Sequence, residues 1–431
     1  MCSPAQGREW FVAAGGSGSG TQGSPFGRIQ DGLNAAQPGD VVTVAAGTYK
    51  EAIHTVRNGT ASARITLRAA GARGSVLLTN PGRVLTVDHA YLALDDLVID
   101  GQYGTDDTIR ISNGGDFFLL HNSEVRRSSR DLIDMAGPQG VTIDRCLIHH
   151  ALNAANGRTD AHGIVAGPVQ DLAVRNTEIH TFSGDGLQVD PGRAVPGWNR
   201  VTIEDSRIWL APLTAAENGF PKGTVTGENA IDTKASSDAT RASMTIRNVI
   251  AYGFGGGLIS NMAAFNLKEN VNVLVDQVTV FNSEIAFRLR GPASSSPSHG
   301  AWVTIKNAVV YKTKTAFRYE DNIEQLRIWN GTIGSGVSRA FQAASSSVLG
   351  LDVRNLLMLN LRASEADHSS NMTVGPEAFA NTSTDNYRLA DDSPAIDAGV
   401  PLADVKTDRL GVVRPQGARY DVGAYERRIT Q

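Results

Sequence analysis

Residues 227–236, GENAIDTKAS, put a glutamate, an asparagine, an aspartate and a lysine within eight positions of an alternating stretch. A lysine held among other cations, or away from water, has a lowered pKa and can act as a general base. Lys234 has candidate neighbours of that kind in Arg288 and Arg290, and an arginine can also neutralise an acid group while its adjacent proton is removed. Asp185, Glu228 and Asn229, with Asp190, offer the oxygen ligands that a Ca2+ ion takes. Asp185, Asp190 and Asp232 could instead act as paired carboxylates, which in an inverting hydrolase stand roughly 6.5–9.5 Å apart. The plainer reading makes Lys234 a salt-bridge partner of Asp232 or Asp190, the arginines a solvated face and the aspartates turn formers. These residues are far apart in sequence, so the choice depends on what stacks them.

The chain has 431 residues, 41% hydrophobic and 19% charged, with 45 glycines, a composition that suits an all-β chain with many turns. A formal net charge of -4 and the lack of any basic run argue against a nucleic-acid partner. No apolar run approaches the ~20 residues of a membrane-spanning helix. Two cysteines, Cys2 and Cys146, cannot build a disulfide framework or a zinc site. Cys2, directly after Met1, could be the lipid-bearing first residue of a mature lipoprotein.

One motif recurs: an apolar residue, a polar one, an Asn or similar, a small residue and another apolar pair. It appears as LDDLVI, LHNSEV, IDRCLI, VRNTEI, IEDSRI, IRNVIA, VDQVTV, IKNAVV, IWNGTI and VRNLLM. The third positions are Asp96, Asn122, Arg145, Asn176, Asp205, Asn248, Gln277, Asn307, Asn330 and Asn355. Asn tolerates left-handed backbone angles and bonds neighbouring amides, so a bend once per turn with an asparagine ladder is expected. Short alternating strands with that period predict a single right-handed parallel β-helix of about ten or more coils. The expected organisation is a leader over 1–9, the β-helix with an amphipathic N-terminal cap (Ile29, Leu33, Ala36) over 10–375, and a C-terminal cap over 376–431 that folds over the last coil.

A second strand per coil aligns as DTIRIS, DLIDMA, HGIVAG, DGLQVD, NAIDTK, GGLISN, IAFRLR and TAFRYE. Its fourth and sixth positions should face outward, which stacks Gln188, Asp232, Arg288 and Arg318 in one column and Asp190, Lys234, Asn261 and Arg290 in the next. Asp131, His162, Asp185 and Asn229 lie at the mouth of these strands. The widest interval between motif copies holds an extra loop, LAPLTAAENGFPKGTVT, expected to wall a cleft beside Lys234.

The opening FVAAGGSGSGTQGSPFGRIQDGLNAAQPGDVVTVAAGTYKE and the closing DSPAIDAG and YDVGAYE resemble the terminal segments of the pectate-lyase-like superfamily of parallel β-helix proteins. NAIDTK resembles the strand that ends in a base lysine in its alginate and dermatan-type lyases, and SGDGLQVD loosely resembles a strand of its calcium-dependent pectate lyases. The resemblance implies a secreted, periplasmic or cell-surface polysaccharide lyase, expected as a monomer, that cleaves an acidic uronate polymer by β-elimination. Lys234 would be the base, Arg288 or Arg290 would neutralise the acid group, and His162, Gln188, Asp190, Asp232, Asn261 and Arg318 would bind substrate. Calcium would be held at Asp185, Glu228 and Asn229, although Asn229 stands where those lyases carry an acidic ligand. The rival readings are a uronan epimerase, an inverting glycoside hydrolase and a non-catalytic glycan-binding β-helix.

Overall fold

A computed structural model describes residues 7–154, 160–189, 192, 194–234, 240–257, 259–291, 299–320, 323–344 and 350–428; Cys2 and Asp190 lie outside them. The chain is an all-β, right-handed parallel β-helix. It divides into two compact units, 1–202 with 211–227, and 203–210 with 228–431.

In the first unit each coil contributes to three parallel ladders. One ladder runs through Glu9–Val12, Val41–Val44, Ile65–Ala69, Leu92–Asp95, Leu119–His121, Thr142–Asp144 and Ala173–Arg175. Another takes in Leu85–Val87, Ile109–Ile111, Ile133–Met135, Ile164–Ala166 and Leu187–Val189. Inward positions are filled by Val, Ile and Leu, for example Ile109, Ile133, Ile164 and Leu187, all essentially inaccessible. The helix Ile29–Ala35 buries Ile29 and Leu33, with Ala36 following, and packs against the first strands as the amphipathic pattern predicts.

All ten residues at the third motif position adopt left-handed backbone angles, with φ from 43° at Asn122 to 61° at Asp96. Such angles cost an ordinary L-residue roughly 1–2 kcal/mol, which explains the preference for Asn and Asp. Arg145 and Gln277 adopt them as well, because the bend is imposed by the coil stacked on it: their backbone amides donate to the carbonyls of Arg175 and Lys306 at 3.1 Å. Side chains link successive bends, as in Asn176 Nδ2 to Asp144 Oδ1 at 2.8 Å, Asn248 Nδ2 to Asp205 Oδ1 at 2.7 Å and Asn355 Nδ2 to Asn330 Oδ1 at 3.2 Å.

Two expectations need correction. Among the described residues of GGLISN no strand forms: Asn261 sits in a turn at φ 60°, and the strand is Ala263–Leu267, a few residues later. The C-terminal segment does more than fold over the last coil. Phe379, Tyr387 and Ala395 pack on Leu357, Leu359 and Val374 of the final coils, but residues 400–423 lie along the asparagine bends of the second unit. There Gln277 donates to the Asp408 carbonyl at 2.6 Å, Asn307 to Thr407 at 3.0 Å, Asn330 to Asp421 at 3.1 Å and Asn355 to Val400 at 2.8 Å. The bend amides thus satisfy the strap's backbone carbonyls, a requirement that would otherwise fall on water. The extra loop has its anchors in the first unit. Leu213 and Phe220 pack on Leu152, and Asn218 Nδ2 donates to Ser129 Oγ at 2.8 Å.

Candidate functional site

In the second unit an aromatic stack fixes the register. Phe265, Phe287, Phe317 and Phe341 pair across successive strands with ring centroids 5.3, 5.4 and 5.3 Å apart, and Ile231 caps the row opposite Phe265. With these rings inward, the next residue on each strand falls on the outer face. That column is Asp232, Asn266, Arg288, Arg318 and Gln342.

Asp232 is only 2% exposed and serves two lysines. Lys234 Nζ bonds its Oδ2, while Lys268 Nζ lies 2.7 Å from Oδ1 and 2.8 Å from Oδ2. Thr233 Oγ1 accepts the Lys268 backbone amide at 2.7 Å and fixes that strand end. Burial pulls the Lys268 pKa down to about 8; Asp232 opposes the shift and the Lys234 charge adds to it. Two ammonium groups on one carboxylate leave one positive charge uncompensated in a poorly hydrated place, so the pair releases its first proton early.

Lys268 was missed in the sequence because the alignment placed GGLISN in that coil. The signal was present: AFNLK at 264–268 repeats AIDTK at 230–234 and precedes AFRLR and AFRYE. Asn261, assigned to the lysine column, instead accepts a hydrogen bond from Arg318 Nη1.

Beyond the lysines lies a row of arginines gathered on Glu320. Arg288 Nε is 3.0 Å from Oε1, Arg318 Nε 2.8 Å from Oε1 and Arg290 Nε 3.1 Å from Oε2. Burial alone would raise the Glu320 pKa, but the Arg288 hydrogen bond and the charges of Arg288, Arg318 and Arg290 outweigh it and hold the carboxyl below its ordinary value. Asn266, 4% exposed, has an Oδ1 with no hydrogen-bond partner among the described residues. This column and the next outward one together carry five cations, Lys234, Lys268, Arg288, Arg290 and Arg318, against Asp232 and Glu320. Such an excess suits an anionic ligand.

His162, Gln188 and Asp185 belong to the first unit, where they meet Asp131. His162 Nδ1 is 2.9 Å from Asp131 Oδ1, which also accepts the His162 backbone amide at 3.0 Å. Gln188 Nε2 donates to Asp185 Oδ2 at 2.8 Å and lies 3.1 Å from His162 Nε2. Burial would depress the His162 pKa, but the Asp131 bond and the charges of Asp131, Asp185 and Asp160 push it up to about 9. The expected outward column is present in register through Arg110, Asp134, Val165 and Gln188.

The oxygens proposed for calcium are engaged elsewhere. Asp185 Oδ2 accepts from Gln188, and Asn229 Oδ1 accepts the Ala263 amide at 3.0 Å. Among the described residues no group of three or more His, Cys, Asp or Glu side chains is arranged to hold a metal ion, and Glu228 joins none. Among the described residues no helix is long and apolar enough to cross a membrane.

Among solved structures the chain is similar to a rhamnogalacturonan lyase at a TM-score of 0.60 and 13% identity, over 94% of this chain and 99% of that one. It is also similar to the pectate lyase Pel9A, at 0.53 and 15% over 98% and 97%. A mannuronic acid-specific family 6 polysaccharide lyase from human gut microbiota matches at 0.53 and 14% over 80% and 88%. The likeness is one of fold. No family model matches the sequence, and no curated protein does.

Proposed function

We propose that the protein is a polysaccharide lyase that acts on an acidic, uronate-containing glycan, with the Lys234–Lys268 pair as its base. The observation that carries this reading is the sharing of buried Asp232 by two lysines beside the Arg288, Arg290 and Arg318 row. A uronate carboxylate paired with an arginine loses part of its charge, which acidifies the proton on the adjacent carbon. That proton moves to the neutral lysine nitrogen, its electron pair forms the new carbon–carbon double bond, and the bond to the glycosidic oxygen breaks. The ammonium left in the pair is a proton source for the departing oxygen. Lys234, whose side chain is 26% exposed against 10% for Lys268, is the member that meets substrate, and Lys268 keeps the pair short of protons. The known activities of the similar structures favour a glycan substrate without deciding the reaction. A uronan epimerase would share the first proton transfer. Both carboxylate oxygens of Asp232 are taken up by the Lys234 and Lys268 ammonium groups, so it is poorly placed to act on a glycosidic oxygen, which disfavours the hydrolase reading.

The test is ultraviolet absorbance of unsaturated uronate ends over alginate, pectate, glycosaminoglycans and bacterial exopolysaccharides, with calcium and with chelator. Absorbance that rises in wild type and is lost in both Lys234→Ala and Lys268→Ala supports the reading. Reducing ends without absorbance would replace it with hydrolysis, and full activity in both variants would remove the lysines from the chemistry.

A further inference from the structure

A second sheet of the same unit, through Ala242–Arg247, Val271–Asp276, Trp302–Lys306 and Gln325–Trp329, carries a tryptophan on its outer face. Trp302 is 40% exposed. A lone exposed apolar residue needs no explanation, but this one is held in place. Its indole N–H donates to Glu324 Oε2 at 3.2 Å, and Glu324 Oε1 accepts the Gly300 amide at 2.8 Å. The Arg241 guanidinium lies 4.2 Å from the ring centroid; it also donates from Nε to the Gly300 carbonyl at 3.0 Å and pairs with Glu324. One face thus lies against Arg241 and the N–H edge is tied to Glu324, while the residue as a whole stays 40% exposed. Asn272 and Gln325 stand directly across from Trp302 on the neighbouring strands, one on each side. The result is a fixed aromatic side chain whose neighbours in register, at a strand spacing of roughly 4.8 Å, are two amide residues.

We propose that Trp302 is the platform of a second glycan-binding site, distinct from the lysine and arginine columns, that takes a pyranose ring of a polysaccharide. The C–H face of the sugar covers the indole, while Asn272 and the amide NH2 of Gln325, whose oxygen faces the Arg327 guanidinium, hydrogen-bond its hydroxyls. Little side-chain freedom is lost on binding, because the ring is already held from two directions. The site would retain polymer on the protein whatever reaction, if any, occurs at the lysines.

Affinity electrophoresis in gels containing polygalacturonate, alginate, xylan or hydroxyethylcellulose tests this independently of turnover. Wild type is expected to be retarded by at least one polymer, with apparent affinity falling roughly two- to tenfold in Trp302→Ala and less in Trp302→Phe. In a Lys268→Ala background, Trp302→Ala should lower the remaining affinity by the same factor as it does in wild type. Gln325→Ala, which leaves the ring's supports in place, should weaken retention as well and keeps the test valid if Trp302→Ala misfolds. Unretarded wild type in all four gels would overturn the proposal. So would Trp302→Ala and Gln325→Ala retarded like wild type, or retention lost only in Lys268→Ala.

Discussion

Lys268→Met offers a direct measure of what the buried lysine costs the fold. Burial lowers the Lys268 pKa from 10.5 to about 8, and at 1.36 kcal/mol per unit this shift corresponds to about 3 kcal/mol. The sign follows from where the proton is bound. Below pH 8 the lysine is charged in both folded and unfolded states, so the folded state bears the full penalty. Between about 8 and 10.5 the unfolded chain holds a proton that the folded one has released, and stability from this group rises with pH. Methionine keeps the length of the side chain and leaves Asp232 paired with Lys234, so the variant should be more stable than wild type near pH 7. That advantage should shrink by about 2 kcal/mol between pH 8 and 9.5, a change of a few degrees in melting temperature for a unit of this size. Differential scanning calorimetry of both proteins at half-unit pH steps from 7 to 9.5 reads the difference, in which other titrating groups cancel. Parallel curves would refute the claim that burial depresses Lys268, and with it the physical basis for a neutral lysine in the site.

Glu320→Gln removes the shared acceptor of Arg288, Arg290 and Arg318 and raises the local positive charge by one. Binding of an anionic polymer should tighten with a steeper salt dependence, while turnover falls because the arginines lose their alignment; unchanged KM, kcat and salt dependence would show that Glu320 does not position the row. In the C-terminal strap, Arg414 and Glu426 form a fully buried pair at 2.6 Å, and Arg414→Met strands the carboxylate at a cost of roughly 3–5 kcal/mol. Limited proteolysis should then cut within residues 400–428 before any coil, and a cleavage pattern like that of wild type would contradict that role. Asp131→Asn removes the main support for the His162 proton. The ring should titrate one to three units lower by NMR, and the stability that the charged ring contributes below about pH 6.5, lost in wild type as pH rises through about 9, should be missing; an unmoved titration would point to Asp185 and Asp160 instead.

The sequence by itself determined the fold, because a β-helix is specified locally. Each coil repeats a short alternation and a bend, and all ten bend residues, from Asp96 to Asn355, were identified by type and spacing before their left-handed angles were seen. The same alternation placed Arg288 and Arg318 in one outward column. What it left open was register across a connection of variable length. GGLISN, residues 256–261, has the pattern of a strand, and only the stacking of Phe265 between Ile231 and Phe287 decides that Asn266 and Lys268, rather than Ile259 and Asn261, continue the Asp232 and Lys234 columns. The strap along the asparagine bends was equally hidden, since contacts such as Asn355 with Val400 join segments that share no local pattern. Lys268 acquires its low pKa from burial and from the nearby charge of Lys234, against the opposing pull of Asp232, a product of two adjacent coils brought together, and no property of the residue or its neighbours in sequence encodes it.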